Sequence, residues 1–508
     1  KHMQIRPFFA FVFSIFFLLT SFPVAAQSSL ESSVENYFES IQSSPHALSV
    51  FLRSMPKGGD LHNHASGATY AENLIRYAKN DDLCINRQTY AVFADAQCTA
   101  SDRLDTVVTD PALYDAVIDA WSMRHFVAGK ESGHDHFFAT FGKFGVITGK
   151  HSGEMLAEIS QRAAMQNELY VELMVTADNN ESGKLGKRIG WDPDFSAMRD
   201  KLLAADFQNI IQSISKRLND DEAQKSSLLA CQSTHPKAGC GLKVRYLYQV
   251  LREQPPEMVF AQLLAGFEAA SKDPRVVGIN MVQPEDGVIS MRDYALHMQM
   301  VQFLHNIYPN VRVSLHAGEL NDQLAPPEGL KFHITDAVEV AGANRIGHGV
   351  DIAQETKAYS LLKEMADKGV MVEINLSSNE GILGIQGKEH PLPLYLRYGV
   401  PVALSTDDEG VSRSNLTTEY VKAVTTYHLS YPTLKNMVRN SIAYAFVPGE
   451  NLWTDRDYRQ PVSVCAKDSL GSDKPSSACR VFLDANEKAS LQWELEKRFV
   501  AFERRFKN

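Results

Sequence analysis

The sequence predicts an α/β fold of the (β/α)8, or TIM, barrel type, with long insertions after the first and second strands and an extra N-terminal helical segment. Three observations predict it. Eight short β-branched or apolar runs recur between residues 59 and 405. Most of them are separated by stretches with helical periodicity, the alternation expected of βα units. Finally, the residues able to carry chemistry cluster where four of the runs end, and the C-terminal strand ends form the active-site face of such a barrel.

The elements follow in chain order. Residues 1–26 have the layout of a secretory signal peptide. Lys1 and Arg6 give a basic start, Phe8–Leu19 is an apolar block, and Val24 and Ala26 stand at the −3 and −1 positions of a cleavage site. The alternative is an uncleaved anchor, but residues 8–26 barely span the ~30 Å bilayer core and Pro23 sits near their end. The mature chain is therefore expected to be secreted or periplasmic and to carry no membrane segment. Residues 27–54 read as one or two helices. Residues 55–450 read as the barrel, with candidate strands at Gly59–His64, Tyr170–Thr176, Lys243–Val250, Val276–Val282, Val311–His316, Arg345–Val350, Met371–Leu376 and Val400–Ser405. Helical patterns lie at Pro256–Ser271, Met291–Tyr308, Ile334–Ala341, Thr356–Lys368 and Leu392–Tyr398. The connections at residues 65–169 and 177–242 are too long to be bare loops and read as structured insertions. Two further helices, Asn415–Leu429 and Tyr431–Ala445, precede a C-terminal region (451–508) with a cysteine-bracketed loop and a charged amphipathic helix, Leu483–Phe506.

Composition narrows the function. Charged residues make up 22% and hydrophobic residues 44%, an ordinary globular balance. A net charge of −10 argues against a nucleic-acid partner, because a phosphate-tracking surface needs a basic excess. No Gly-X-Y period, heptad run or second long apolar stretch occurs, which removes collagen, coiled coil and polytopic membrane protein. The six cysteines fall in three local pairs, Cys84/Cys98, Cys231/Cys240 and Cys465/Cys479. Each pair brackets a short polar stretch, and an oxidising compartment favours bridges, so three surface-loop disulfides are expected, against the alternative of free buried thiols.

The chemistry lies at the strand ends. The first strand ends in Leu61-His62-Asn63-His64, the fifth in Ser314-Leu315-His316-Ala317-Gly318-Glu319, the sixth carries Gly347-His348-Gly349, and the eighth ends in Ser405-Thr406-Asp407-Asp408. Residues i and i+2 of a strand share a face, so His62 and His64 can chelate one ion together. His316 and Asp407 complete a nitrogen-rich set that leaves a position open for water, the catalytic rather than the closed structural arrangement. Imidazole and carboxylate without thiolate suit Zn2+, with Fe2+ or Co2+ as alternatives. Such an ion brings the pKa of a bound water to roughly 7. Glu319 is placed to act as general acid/base, and His348 to orient the attacking oxygen and stabilise developing negative charge. Each motif also has a bland reading: a lone HxH as surface or core histidines, Asp407-Asp408 as a solvated turn, His348 as a satisfied buried imidazole. His134-Asp135-His136 is also HxH, but it lies in a helical, aromatic-rich stretch where i and i+2 do not share a face, and it reads as structural. What separates the other motifs from the bland readings is their conjunction, in order, at the ends of predicted parallel strands.

Met55-Pro56-Lys57-Gly58-Gly59-Asp60-Leu61-His62-Asn63-His64, His316-Ala317-Gly318-Glu319, Arg345-Ile346-Gly347-His348-Gly349 and Ser405-Thr406-Asp407-Asp408 together resemble the adenosine deaminase family of metal-dependent hydrolases. The lead-in, the leader, the extra N-terminal helices and the cysteine-bracketed insertion look most like its secreted, adenosine deaminase-related growth factor branch. The resemblance covers roughly residues 30–450. It implies one zinc ion per chain, held by His62, His64, His316 and Asp407, and hydrolysis of the 6-amino group of adenosine to inosine and ammonia. It implies that Glu319 protonates the purine at N1, that His348 and Asp407 position the attacking hydroxide, and that Asp408 meets N7. Candidate substrate contacts are His64, Asp408, Gln283 and Glu172. Gln283 stands where the family has a glycine whose backbone N–H meets N3. Ala65-Ser66-Gly67 lacks the family's ribose-binding aspartate, and Glu172 is the substitute candidate. The partner is thus a small purine nucleoside, and the resemblance adds a homodimer through the N-terminal helices. The alternatives are another purine substrate (adenine, a modified adenosine or AMP) and an extracellular binding or signalling protein on the same scaffold.

Overall fold

The computed structural model describes residues 29–94 and 98–506, so the expected signal peptide lies outside the described residues. Eight parallel strands run in sequence order around a barrel: β1 (Gly58–His64), β2 (Glu168–Val175), β3 (Lys243–Leu251), β4 (Val276–Val282), β5 (Arg312–Ala317), β6 (Arg345–His348), β7 (Met371–Ile374) and β8 (Val402–Leu404). Each coincides with an expected apolar run to within about two residues. The ring closes through Asp407, three residues beyond the end of β8. The Asp407 N–H donates to His62 O at 2.8 Å, and the His64 N–H donates to Asp407 O at 2.9 Å. The seam of the barrel therefore runs through three of the candidate ligands.

The strands are cut short by backbone that leaves the β region. His348 at the end of β6 has φ 69° and Asp407 has φ 59°. Non-glycine residues rarely adopt this left-handed conformation, and it persists only where packing over-determines it. At the opposite, N-terminal end the barrel is plugged by an ion cluster. Fully buried Arg345 lies between Glu172 and Glu373, with its guanidinium 3.7 Å from the Phe446 ring centroid.

The N-terminal segment forms helices Ser29–Ile41 and Pro45–Ser54. Their apolar faces (Val34, Phe38, Leu48, Phe51, Leu52) are buried against the chain's own C-terminal helices, where Phe51 meets the rings of Phe502, Phe506 and Tyr431. The first insertion is helical apart from a two-stranded ribbon, Cys84–Ile85 with Val92–Phe93. Its apolar cluster, including Leu74, Val117, Trp121 and Phe144, continues onto Val350, Ile382 and Val411. It thus caps the C-terminal face of the barrel. The second insertion packs its helices Glu181–Ile189, Phe195–Ala204 and Phe207–Leu228 against the helix Pro256–Lys272. Cys84–Cys98, Cys231–Cys240 and Cys465–Cys479 are joined as disulfides, and no helix among the described residues is long and apolar enough to cross a membrane.

Two expected helices are corrected. The stretch Leu483–Phe506 is not one helix but the end of Ser477–Ala485 followed by Glu487–Glu503. Asn486 between them is extended at φ −130°. Its amide accepts from Glu450 N and donates to Phe482 O, both at 2.9 Å, so the side chain competes with the helix for backbone partners. Met291–Tyr308 is likewise divided at Asp293 into Val288–Arg292 and Tyr294–Ile307.

If the N-terminal helices belong to the same cooperative unit as the barrel, Phe51→Ala removes a buried ring shared by both. It is expected to cost ~3–5 kcal/mol and to lower the thermal unfolding midpoint of the whole chain. An unchanged midpoint would mean that the segment is a detachable appendage.

Candidate active site

His62 and His64 leave β1 on one face, His316 leaves β5, and Asp407 follows β8. All four are buried, and their ligand atoms converge. His316 Nε2 lies 3.1 Å from His62 Nε2 and 3.2 Å from His64 Nε2, and Asp407 Oδ1 lies 3.2 Å from the Nε2 of both His62 and His64. Neighbouring donors on a cation with ~2 Å bonds are themselves about 3 Å apart. Gly347 makes room for this arrangement: a Cβ there would lie 2.6 Å from His62 Cε1.

The remote nitrogens decide what the near ones offer. His62 Nδ1 donates to Glu373 Oε2 (2.6 Å), a carboxylate that can only accept once it is held ionised. His316 Nδ1 donates to Asn280 Oδ1 (2.8 Å), and the identity of that oxygen is fixed because it also accepts the His316 backbone N–H. His64 Nδ1 donates to Gln249 Oε1 (2.9 Å). With every Nδ1 protonated, three bare Nε2 lone pairs and a carboxylate oxygen face one another in a buried space. That arrangement repels unless a cation lies between the donors, and a second layer of carboxylate and amide acceptors is how metal-binding histidines are oriented. The surrounding charge agrees. Burial opposes ionisation of Glu373, but Arg345 and His62 outweigh it and hold the carboxyl at about 2. Burial disfavours a charged His62, yet Asp407 and Glu373 push it up to about 10, so this spot demands positive charge. The residues therefore fit a divalent cation of the zinc type.

Around this group stand three more buried polar side chains. Glu319 is pushed well above the usual carboxylate range by burial and by the negative charge of Asp407, which makes it a neutral acid with a proton to give. His348, lowered to about 3 by burial, is a neutral imidazole whose Nε2 has no hydrogen-bond partner and lies 3.8 Å from Asp407 Oδ2. Asp408 is pushed up to about 8 by burial, and its Oδ1 is unpartnered. Glu319, Asp407, Asp408, His64 and His316 lie at the base of a cavity of about 570 Å³, a volume suited to a small organic ligand. Its upper walls are Phe137, Phe138, Phe141, Phe144, Leu251 and Ile382, and no lysine or arginine lines it.

The other expected residues divide. Gln283 lines the cavity with φ 82°, backbone that a glycine adopts without strain. Its side chain turns toward the loop after β3, where Oε1 accepts from Glu253 N at 2.8 Å. The expectation for Glu172 is corrected. Its carboxylate is fully buried on the barrel floor, taken up by Arg345, Tyr170 Oη and the Phe446 N–H, and it is absent from the cavity lining. His134 bonds Asp286 and His136 bonds Ser122 O, each at the edge of the site rather than on a shared ligand. Their helix, Gly133–Thr148, nevertheless supplies the aromatic wall, a role that its sequence hides because a phenylalanine face at helical spacing reads as core. Sequence reasoning also passed over Glu373 and Asn280. Their signal was a lone polar residue inside an otherwise apolar buried strand.

Comparison with known proteins agrees with this geometry. The adenosine deaminase family model matches residues 189–453, just over half of the chain. The chain is 36% identical to an adenosine deaminase of Clostridium perfringens over 140 residues, 27% of this chain and 39% of that protein. It is 27% identical to an adenosine deaminase of Vibrio vulnificus over 210 residues, 40% of this chain and 55% of that one. The match thus spans well under two thirds of the length of these relatives. In fold, the chain is similar to an N6-methyl-AMP deaminase from Arabidopsis thaliana (TM-score 0.51, 19% identity, covering 78% of this chain and 94% of that one). It is also similar to an amidohydrolase from Burkholderia ambifaria with bound zinc (TM-score 0.50, 15% identity, covering 91% and 95%).

Two outcomes are expected. Glu373→Gln removes the ionised acceptor behind His62 and should weaken cation affinity ~10–100-fold, measured by competition with a chromogenic chelator; unchanged affinity would remove Glu373 from the site. A Cβ at Gly67 would lie 2.6 Å from Asp408 Cβ, so Gly67→Ala should displace Asp408 and weaken ligand binding in the cavity while metal content stays constant. Normal ligand affinity in that variant would mean that Asp408 does not contact the ligand.

Proposed function

The chain belongs to the adenosine deaminase family, and we propose that it is a secreted, zinc-dependent deaminase of adenosine and 2′-deoxyadenosine, most like the growth factor-related extracellular branch. The observation that carries this reading is the convergence of Glu319, His348 and Asp407, with ligand atoms all within 4.8 Å of one another, beneath one aromatic-walled cavity. His62, His64, His316 and Asp407 would hold the divalent cation, which when bound would make a water ionisable near neutral pH.

The chain's own residues do the rest. Glu319, held neutral by burial, donates its proton to N1 and so makes C6 electrophilic. His348 directs an N–H toward the attacking oxygen. Asp408, also favoured in its protonated form, donates to N7, while the Gln283 backbone N–H is aimed at N3. Water adds at C6 and ammonia leaves, which converts adenosine to inosine. With Glu172 buried on the barrel floor, ribose contacts fall to the cavity rim.

The lack of any lysine or arginine in the cavity lining supports a nucleoside over a monophosphate. Two arginines stand nearby: buried Arg252, which gives its guanidinium to the carbonyls of Gln283 (3.1 Å) and His316 (3.2 Å) and does not line the cavity, and Arg217. Arg217 lines a neighbouring cavity of about 170 Å³ that shares Ser66, Thr148 and Gln249 with the site, and it is already engaged with Gly149 O (3.1 Å) and Asp221 (3.9 Å). Three disulfides support an oxidising compartment, hence export. A homodimer through the N-terminal helices would have to use their outer faces, where Tyr37 and Val50 are exposed.

The zinc-loaded protein is expected to release one ammonia per adenosine, with the accompanying change in ultraviolet absorbance. Glu319→Gln should lower kcat ~10²–10⁴-fold while keeping its zinc. A loaded protein that yields no ammonia from adenosine, 2′-deoxyadenosine, adenine or AMP, and no methylamine from N6-methyladenosine, would contradict the proposal.

A further inference from the structure

The three ligand histidines hold their proton on Nδ1, and the neighbouring His348 is wired the opposite way. The wiring starts at a donor whose identity is not in question. The backbone N–H of Leu392 donates to His390 Nδ1 at 3.1 Å. His390 is buried and held neutral, lowered to about 4 by burial, so its one ring proton must sit on Nε2. His390 Nε2 lies 3.0 Å from Asn379 Oδ1 and donates to it. That settles which end of the Asn379 amide is oxygen and leaves its Nδ2 to donate to His348 Nδ1 at 2.9 Å. A second amide, Asn375 Nδ2, approaches the same Nδ1 at 3.4 Å. With Nδ1 accepting, the proton of His348 is confined to Nε2, the buried, unpartnered atom 3.8 Å from Asp407 Oδ2.

We propose that Asn379 and His390 are positioning residues that fix His348 as an Nε2–H donor facing the reaction centre. Neither touches the cavity, and neither belongs to the metal-ligand set. The other groups facing His348 leave this assignment intact. Glu319 Oε1 is 3.7 Å from Nδ1, beyond hydrogen-bond reach, and the rings of His62 and His316 lie 4.9 and 5.1 Å away, centroid to centroid. The consequence is a division of labour. His348 enters the reaction already carrying the proton that it offers to the attacking oxygen, so it acts as a donor and not as a base. The role of His348 rests on the deaminase reading above; the proton positions do not.

The test reads the proton positions directly. In zinc-loaded, 15N-histidine-labelled protein without substrate, long-range 1H–15N correlation should show His348 and His390 both as neutral Nε2–H tautomers, with His348 assigned by its loss in His348→Asn and His390 by its loss in His390→Gln. Asn379→Asp keeps the acceptor for His390 and replaces the donor to His348 with a second acceptor. It should move the His348 proton to Nδ1 and lower kcat on adenosine ~10²–10⁴-fold, the scale of a catalytic imidazole held in the wrong tautomer, with KM within ~3-fold and zinc content unchanged. His390→Gln, whose amide can still donate to Asn379, should retain kcat within ~3-fold, whereas His390→Phe should not. An Nδ1–H His348 in the wild-type spectrum would overturn the proposal whether or not the variants fold, and so would an Asn379→Asp enzyme with normal kcat. The predicted tautomers in a protein that deaminates no adenine nucleoside would uphold the relay and remove the deaminase reading alone.

Discussion

Three imidazole lone pairs and a carboxylate oxygen face one another at 3.1–3.2 Å, buried at the base of the cavity. Repulsion among such groups is strong where solvent cannot screen it, and a cation between them converts it into attraction. The rest of the site is arranged around that requirement. Glu373, Asn280 and Gln249 occupy the far nitrogens and keep the near ones bare. Arg345 keeps Glu373 ionised, and Glu172 balances Arg345 on the barrel floor. A chain of charge therefore runs from the floor to the metal position. The residue furthest from the chemistry contributes by keeping its neighbour charged.

The fold makes this convergence possible because the barrel seam and the metal position coincide. β8 joins β1 through the backbone of Asp407, and the same residue turns its carboxylate inward. Left-handed backbone at Gln283, His348 and Asp407 marks the places where the chain leaves a strand abruptly to aim a group at the centre. Such conformations are unfavourable for residues with a Cβ and are typically retained where surrounding packing holds a functional group in place. The first insertion completes the chamber from above. Its own apolar cluster packs the helix Gly133–Thr148 against Val350, Ile382 and Val411 of the barrel's C-terminal face, which places the aromatic wall over the strand ends.

Much of this was legible in the sequence, and the reasons are local. Apolar runs of strand length marked seven of the eight strands, because a barrel strand is buried on both sides; the first, Gly58–His64, has only Leu61 as an apolar side chain and was read from the alternation of His62 and His64. His62 and His64 were legible because a strand's two-residue period puts them on one face, and the other ligands because they stand where runs end. Glu172 misled because it lies inside its run, where a side chain points to the barrel interior well below the rim. Asn379 and His390 carried no sequence signal, since their meaning depends on a through-space contact between a loop, a helix start and a strand end. The division of the last helix at Asn486 was hidden because the amphipathic pattern continues across it, while the side chain's partners lie in distant backbone.

The central claim is that His62, His64, His316 and Asp407 share one cation. The most direct measurement is an anomalous difference map from crystals of the protein purified without added metal, collected on both sides of the zinc absorption edge. The account predicts a single strong peak per chain, about 2 Å from His62 Nε2, His64 Nε2, His316 Nε2 and Asp407 Oδ1. A map with no peak among these four atoms, in crystals grown with zinc present, would contradict it.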